Sequence, residues 1–392
     1  MQNMFELGQD ELTDIMRSFM SRVAAGLASD NQEIGAHLTY VPIRAESPSG
    51  TCIVVDLGGT RVRAAVCAVE KGRFSILGNV AEALLPVTRG VPLPKETYLR
   101  VQADLVASLK PPSGLPLGYC FSYPAAPSLE GDAKLVRWTK EVFVPGTEGQ
   151  PVGRPLLDAL ALRGVSCRRV RVVNDTVASL LAGVPSAVAG AGHVGVIVGT
   201  GTNVAMALPS AAVPKFPASI QWQGSLPVNL ESGNFTPPHL SHVDDAVDAG
   251  SEAPGRQRFE KAVSGVYLGR VLAAAAAGSG FDPSSGSRGV VEAAAATDNP
   301  ALAGAARALL RRSALLTAAC LAGASLLLHG NGFRSADIVA EGSLFWGAPG
   351  YADAVRTVVE QLVSRHAPGL EVTIRPVEHA NLVGSATAAL AA

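Results

Sequence analysis

No sign of charge dominates this chain. Its 32 Lys and Arg stand against 33 Asp and Glu, a formal −1, so nothing in the composition draws it to nucleic acid or an anionic membrane. Any handling of phosphate must therefore be local. Cysteine is scarce: Cys52, Cys67, Cys120, Cys167 and Cys320 are scattered, odd in number and mostly set in apolar runs. The lack of a CxxC pair excludes the commonest thiol metal and redox motifs and predicts buried thiols in a reducing compartment. The opening MQNMFELGQDELTDIM has no long apolar core behind a basic start, so no secretory signal is read there and a cytoplasmic location is expected. One stretch, residues 313–329, has no charge. It is short for a membrane span, has no second span beside it and is rich in small residues, which predicts a buried core helix.

What is present is core-building material. Hydrophobic residues make up 48% and charged ones 17% of 392 residues, which predicts a soluble globular chain, long enough for two lobes. Leu12, Ile15, Met16, Phe19, Met20, Val23 and Leu27 recur at three- and four-residue steps, the face of a helix over residues 11–27. The apolar run 52–57, stopped by Gly58-Gly59 and followed by alternation from Arg61, reads as a tight hairpin. A helix is expected over 95–109, a strand over 117–122, and a strand over 169–173 that ends in Asn174-Asp175-Thr176 before a helix at 177–181. A second strand, turn and strand unit, 193–208 around Gly199-Thr200-Gly201-Thr202-Asn203, repeats the first about 140 residues on and suggests a duplicated fold. Alanine-rich helices are read over 261–277, 290–296 and 301–328, with a loop at 278–289. Then come a strand at 338–340 running into Glu341-Gly342-Ser343, a helix at 351–366 and a small-residue helix at 382–391. The class is α/β throughout.

Several short stretches bear on chemistry. Asp56-Leu57-Gly58-Gly59-Thr60 joins a carboxylate to a glycine turn whose bare backbone N–H groups can approach a polyphosphate, although Gly-Gly also suits an ordinary hairpin. Gly199-Thr200-Gly201-Thr202 allows the same two readings. Neither is a Walker A loop or a strand-linked GxGxxG. Asn174-Asp175, at a strand end in an α/β sheet, is placed for a base in a crevice or simply for a helix cap. Glu231 and Glu260 are isolated acids that, without their neighbours, would read as solvated charges. His239 and His242 with Asp244, Asp245 and Asp248 fit no firm zinc spacing; a polar surface loop is expected and no structural metal is assigned.

Taken in order, Asp56-Leu57-Gly58-Gly59-Thr60, Phe121-Ser122-Tyr123-Pro124, Arg137-Trp138-Thr139-Lys140, Val173-Asn174-Asp175-Thr176, Ile197 to Asn203, Asn229-Leu230-Glu231, and Pro254 to Gly269 resemble the blocks of the hexokinase family, of the eukaryotic hexokinase/glucokinase type. The resemblance implies a two-lobed actin-like (ribonuclease H-like) sugar kinase fold with a deep interlobe cleft. It implies a small lobe over 48–174, joined by the C-terminal helix 382–392, and a large lobe over 175–377 with the N-terminal helix 9–28 docked on it. It implies ATP-dependent phosphorylation of the 6-hydroxyl of a hexose, glucose first, with ATP and Mg²⁺ as cofactors. By the same resemblance Ser122, Thr139, Lys140, Asn174, Asp175, Asn203, Glu231 and Glu260 bind the sugar, Asp175 is the base, and Lys140 is a cation near the transferred phosphoryl group. Asp56, Gly58, Gly59, Thr60, Arg61, Gly199, Thr200, Gly201, Thr202, Gly342 and Ser343 face the nucleotide, Asp56 also meeting Mg²⁺ through water. The partners expected are small molecules, sugar and ATP, with no nucleic acid and no membrane.

The sequence also departs from the family pattern. Arg61 stands where the family usually has Asn, Ser-Gly rather than Trp-Gly follows Glu231, Glu341 replaces Asp before Gly342-Ser343, and residues 378–386 lack the family's acidic Gly-Ser-Gly pattern. A kinase of the same fold for mannose, fructose or an amino sugar, or a catalytically silent sugar sensor, stays open at this point. The cysteine-rich zinc motif of the neighbouring bacterial repressor/kinase group is absent.

Overall fold

The computed structural model describes residues 2–44, 46–139, 142–188 and 190–391. Its frame is two sheets built on one plan. The first contains β1 (Gly50–Gly58), β2 (Arg61–Glu70), β3 (Arg73–Ile76), β4 (Leu115–Phe121) and β5 (Cys167–Val173), ordered β3-β2-β1-β4-β5. The second contains β6 (Gly192–Val198), β7 (Thr202–Pro209), β8 (Ser225–Asn229), β9 (Ser335–Glu341) and β10 (Glu371–Arg375), ordered β8-β7-β6-β9-β10. In each, an antiparallel hairpin is followed by two parallel additions on the same edge, which makes the duplication suggested by the glycine turns explicit. Short strands His37–Leu38 and Ala81–Leu84 extend one sheet each.

The continuous apolar runs follow from burial of both sheet faces. Ile53, Val55 and Leu57 pack with Tyr98, Val106, Leu156 and Leu160 of the helices Lys95–Ser108 and Gly153–Ala161, whereas Cys52 and Val54 face Leu382 and Ala386 from the other side. Burial pushes the Cys67 thiol up to about 12, while Cys167 is only half-buried.

Eight further helices matter to the argument: α1 (Gln9–Ala28), α2 (Asp175–Gly183), α3 (Arg258–Val263), α4 (Gly265–Ala275), α5 (Gly286–Ala295), α6 (Pro300–Gly330), α7 (Tyr351–His366) and α8 (Ala380–Leu390). α6, among the described residues the one helix long and apolar enough to cross a membrane, is mostly buried, with α1 and α7 packed along it. The helix after the fifth strand of each sheet crosses to the other sheet: α2 packs on β6 and β9, and α8 on β1 and β4. The two touch at Gly384, where a Cβ would lie 1.8 Å from the Ala178 carbonyl oxygen, so only glycine permits the crossing.

Three expectations need correction. Residues 261–277 do not form one helix: Ser264 is extended (φ −80°, ψ 155°) and separates α3 from α4. The loop read at 278–289 already turns into α5 at Gly286. Asp244 and Asp248 are not surface-loop acids. Both are buried, Asp244 against Arg312 and Asp248 against Lys261 and Arg258, while His239 lies 3.3 Å from Asp14.

Candidate active site

Because β1, β4, β5, β6 and β9 end at Gly58, Phe121, Val173, Val198 and Glu341, the residues just beyond them gather along one crevice, where α/β sheets bind ligands. At the first glycine turn the hairpin register sets Asp56 opposite Arg63. Arg63 donates Nε (3.1 Å) and Nη2 to Asp56 Oδ2, and Asn381 of α8 donates to Oδ1 at 3.3 Å. A Cβ on Gly58 would meet nothing within 4 Å, so packing does not require glycine there and the space stands open to a ligand. Tyr123 fixes the turn by donating to the Gly59 carbonyl at 2.7 Å. Thr60 is exposed, and Arg61 is exposed and paired with Glu82 at 3.1 Å.

The second turn is tied down from three directions. Gly199 N–H donates to Gly201 at 2.9 Å, Gly265 N–H donates to the Gly199 carbonyl at 2.7 Å, and Thr202 Oγ1 donates to Ile197 at 2.9 Å. Gly342 (φ +115°) lies so close that a Cβ would sit 2.2 Å from the Val198 carbonyl oxygen, which places the Gly342-Ser343 turn against Gly199. Next to it, burial raises the Glu341 carboxyl to about 7, opposed by the charge of Arg63 across the crevice.

That shift has a sign. A carboxyl raised in the folded state contributes stability that is complete below its ordinary range, near 4.5, and lost as pH rises through about 7. Glu341→Gln is expected to melt higher than the parent at pH 8 and level with it at pH 4.5, without Mg²⁺ or nucleotide. Equal melting temperatures at pH 8 would refute the shift.

At the end of β5 Asn174 caps α2: its Oδ1 accepts from Thr176 N–H at 2.9 Å. Asp175, first residue of the helix, accepts from the same N–H through Oδ1, and no described residue engages its Oδ2. Capping and chemistry are thus not alternatives here, because the cap holds the carboxylate at the crevice. From the large sheet, Asn203 donates to Asn229 and Asn229 to Glu231, each at 2.7 Å. Glu231 sits in a left-handed turn (φ +54°). Burial raises its carboxyl, His37 and the Asn229 amide oppose this, Asp175 adds to it and Arg137 opposes it. Glu260 accepts from Thr202 N–H at 3.1 Å, and a Cβ on Gly201 would lie 2.7 Å from its Oε2.

Ser122 is buried after β4, beside Cys120, whose thiol also lies near Asp56 and Asp175. Thr139 is half-buried next to Trp138, which stacks edge-on against Tyr123 with ring centroids 4.9 Å apart. Lys140 lies outside the described residues.

Sequence reasoning missed Arg63, Tyr123, Asn229 and Asn381. A two-residue turn at Gly59-Thr60 implies that Asp56 faces Arg63, so that pairing could have been read; no local signal brings Asn381 to Asp56.

Family models described as hexokinase match residues 1–184 and, together, 193–277 and 286–391. The chain belongs to the hexokinase family. As a member of the hexokinase family it is 32% identical over 280 residues to hexokinase-1 of Nicotiana tabacum, covering 67% of this chain and 55% of that relative. It is 31% identical over 291 residues to a hexokinase of Emericella nidulans, covering 69% and 57%. The chain thus spans little more than half the length of these curated relatives. Among solved structures, a hexokinase from Schistosoma mansoni complexed with glucose superposes with TM-score 0.78 at 22% identity, covering 100% of this chain and 97% of that one. A ROK hexokinase from Thermus thermophilus gives 0.54 at 19%, covering 87% and 98%. These likenesses show the two-lobed actin-like fold of the sugar kinases.

Proposed function

We propose that this hexokinase-family chain transfers the γ-phosphoryl group of ATP to the 6-hydroxyl of a hexose, with glucose the leading acceptor. One observation carries the reading: the Asp175 carboxylate, oriented by the α2 N-terminus, shares its crevice with the Asn203–Asn229–Glu231 chain and with two glycine turns. Amides and carboxylates suit a sugar, whose hydroxyls both donate and accept and would be costly to bury unmatched. In the proposed step Asp175 takes the proton of the 6-hydroxyl as its oxygen bonds to phosphorus and the bond to the ADP oxygen breaks. Ser122, Thr139, Asn174, Asn203, Glu231 and Glu260 hold the sugar, and Lys140 is assigned the cation beside the phosphoryl group.

The residues present fit Mg²⁺ held through water. Asp56 Oδ1 accepts a long 3.3 Å bond from Asn381, and a carboxylate oxygen so engaged keeps lone-pair capacity for a metal-bound water. Bound there, the ion supplies positive charge to the phosphates. Purified protein with Mg·ATP and a panel of hexoses, followed by ADP release, tests the reading. Turnover on another hexose alone would move the substrate, and sugar binding with no ADP release would make the chain a sensor.

Two results are expected from this reading. With ligands from 48–174 (Ser122, Thr139) and from 175–377 (Glu231, Glu260), sugar alone should favour the closed lobes and exclude competing water. A smaller radius of gyration at saturating sugar checks this, with Trp138 fluorescence as a second probe; an unchanged radius rejects it. Nucleotide choice should be loose. Glycine-turn backbone cannot sense the base, and the segment after Glu378 departs from the family pattern, so GTP or ITP should work within about tenfold of ATP in kcat/KM. An ATP preference above about a hundredfold would mean a discriminating base pocket.

A further inference from the structure

His37 and Asn229 are cross-strand partners where the short strand His37–Leu38 joins β8, so their side chains stand on one face of the sheet. That face is the crevice wall, which His37 lines together with Thr39, Phe121, Tyr123, Asn174 and Asn229. The imidazole lies against Gly35, where a Cβ would come 2.8 Å from His37 Nε2, so the bare backbone makes room for the ring. Asn229 in turn donates to Glu231 Oε1 at 2.7 Å, which ties the partner of His37 to a carboxylate already assigned to the sugar. Asp175 brings a second negative charge to that carboxylate, and of the two cations acting on it, His37 acts more strongly than Arg137. Lys215, beside Gly35, is occupied: it donates to the Gly35 carbonyl at 2.9 Å and to Asp30 at 3.1 Å.

We propose that His37 is a further positioning residue of the sugar site, its cationic ring balancing the like charges of Glu231 and Asp175 so that Glu231 is free to accept from hexose hydroxyls. This role rests on the sugar-kinase reading and deepens it. A carboxyl accepts through both oxygens only when it has lost its own proton, and Asn229 already occupies Oε1 of Glu231, so a proton on Oε2 would block the oxygen left for the sugar. Burial favours that proton and the His37 charge opposes it. Without the charge, protonation reaches Glu231 at a higher pH, and hexose affinity is lost earlier as the medium is acidified. An imidazole is cationic in mild acid, where the carboxylate needs a counter-charge, and neutral at pH 8, where it does not. The effect falls on binding, so it appears in KM rather than in kcat.

The probe is glucose, or whichever hexose of the panel the parent phosphorylates, titrated calorimetrically into the full chain without nucleotide at pH 6 and pH 8. His37 is exposed, so His37→Gln and His37→Arg should both keep the fold. Affinity is expected to be about three- to tenfold lower in His37→Gln than in the parent at pH 6, within about twofold of it at pH 8, and restored at pH 6 in His37→Arg. In a Glu231→Gln background, which leaves no charge there to balance, His37→Gln should change affinity no further. Turnover at saturating hexose should stay within about twofold of the parent. A merely structural role would give the same loss at both pH values and no rescue by Arg; either result overturns the proposal, as does unaltered affinity of His37→Gln at pH 6. ADP release keeps this apart from the kinase reading. Where the parent releases ADP with hexose, a silent His37→Gln rejects only the role given to His37, whereas a parent that neither binds hexose nor releases ADP overturns the kinase reading and that role with it.

Discussion

Asp175→Ala is expected to lower turnover by about 10²–10⁴-fold, the usual worth of a general base, while sugar affinity falls far less. The asymmetry follows from the geometry. Asn174 still accepts from Thr176 N–H, so the start of α2 keeps its cap, and the Asn203–Asn229–Glu231 chain is untouched. Loss of the carboxylate removes the proposed proton acceptor and little else. Steady-state kinetics paired with sugar calorimetry separates the two quantities, and a variant retaining near-parental turnover would remove Asp175 from the role of base.

Arg312→Ala is expected to have the largest effect on stability, about 3–5 kcal/mol, because it strands a buried carboxylate. Arg312 is 1% exposed and Asp244 4%. They form a two-pronged pair at 2.6 and 2.7 Å, with the Arg312 guanidinium 4.7 Å from the Phe5 ring. Burial alone would raise the Asp244 carboxyl, but the Arg312 hydrogen bonds and charge, with Ser241, outweigh it and hold the group below its ordinary value. A depressed carboxyl gives stability that is present above its unfolded range and lost as pH falls through the folded value, so the cost of Arg312→Ala should shrink in acid. Replacing both partners, Arg312→Met with Asp244→Leu, should recover most of the loss, since a packed apolar pair carries no desolvation cost. Urea midpoints check both variants; an unshifted midpoint for Arg312→Ala would refute the argument.

Much of the frame was legible because the sheets are buried on both faces. Runs such as 52–57 and 193–198 then show as strands that are apolar but for Asp56 and His193, each stopped by glycine. The alternation after Arg61 marked the returning strand, and the helix periodicity near the N-terminus located α1 to within two residues at each end. Most of the proposed sugar and phosphate residues are legible for a related reason: each lies just beyond a strand end, within a few residues of its turn. The departures had equally local causes, as at Gly286, where a positive φ (+57°) lets the chain start α5 inside a stretch that composition alone marks as loop.

Sequence by itself determined where the strands run, where the glycine turns fall and which carboxylates stand at strand ends, because each of these is a pattern between near neighbours. Only the tertiary structure decided how those pieces meet. Asn381 reaches Asp56 across the whole chain, Asn229 relays Asn203 to Glu231, and Asp244 and Asp248 are drawn from an apparent surface loop into buried ion pairs. The break at Ser264 belongs with them: the Gly265 N–H, which one continuous helix would have bonded within itself, donates instead to the Gly199 carbonyl at 2.7 Å. A hydrogen bond to a distant turn leaves no periodicity in the segment that makes it, so the helix that alanine-rich composition favours is divided by a partner some sixty residues away.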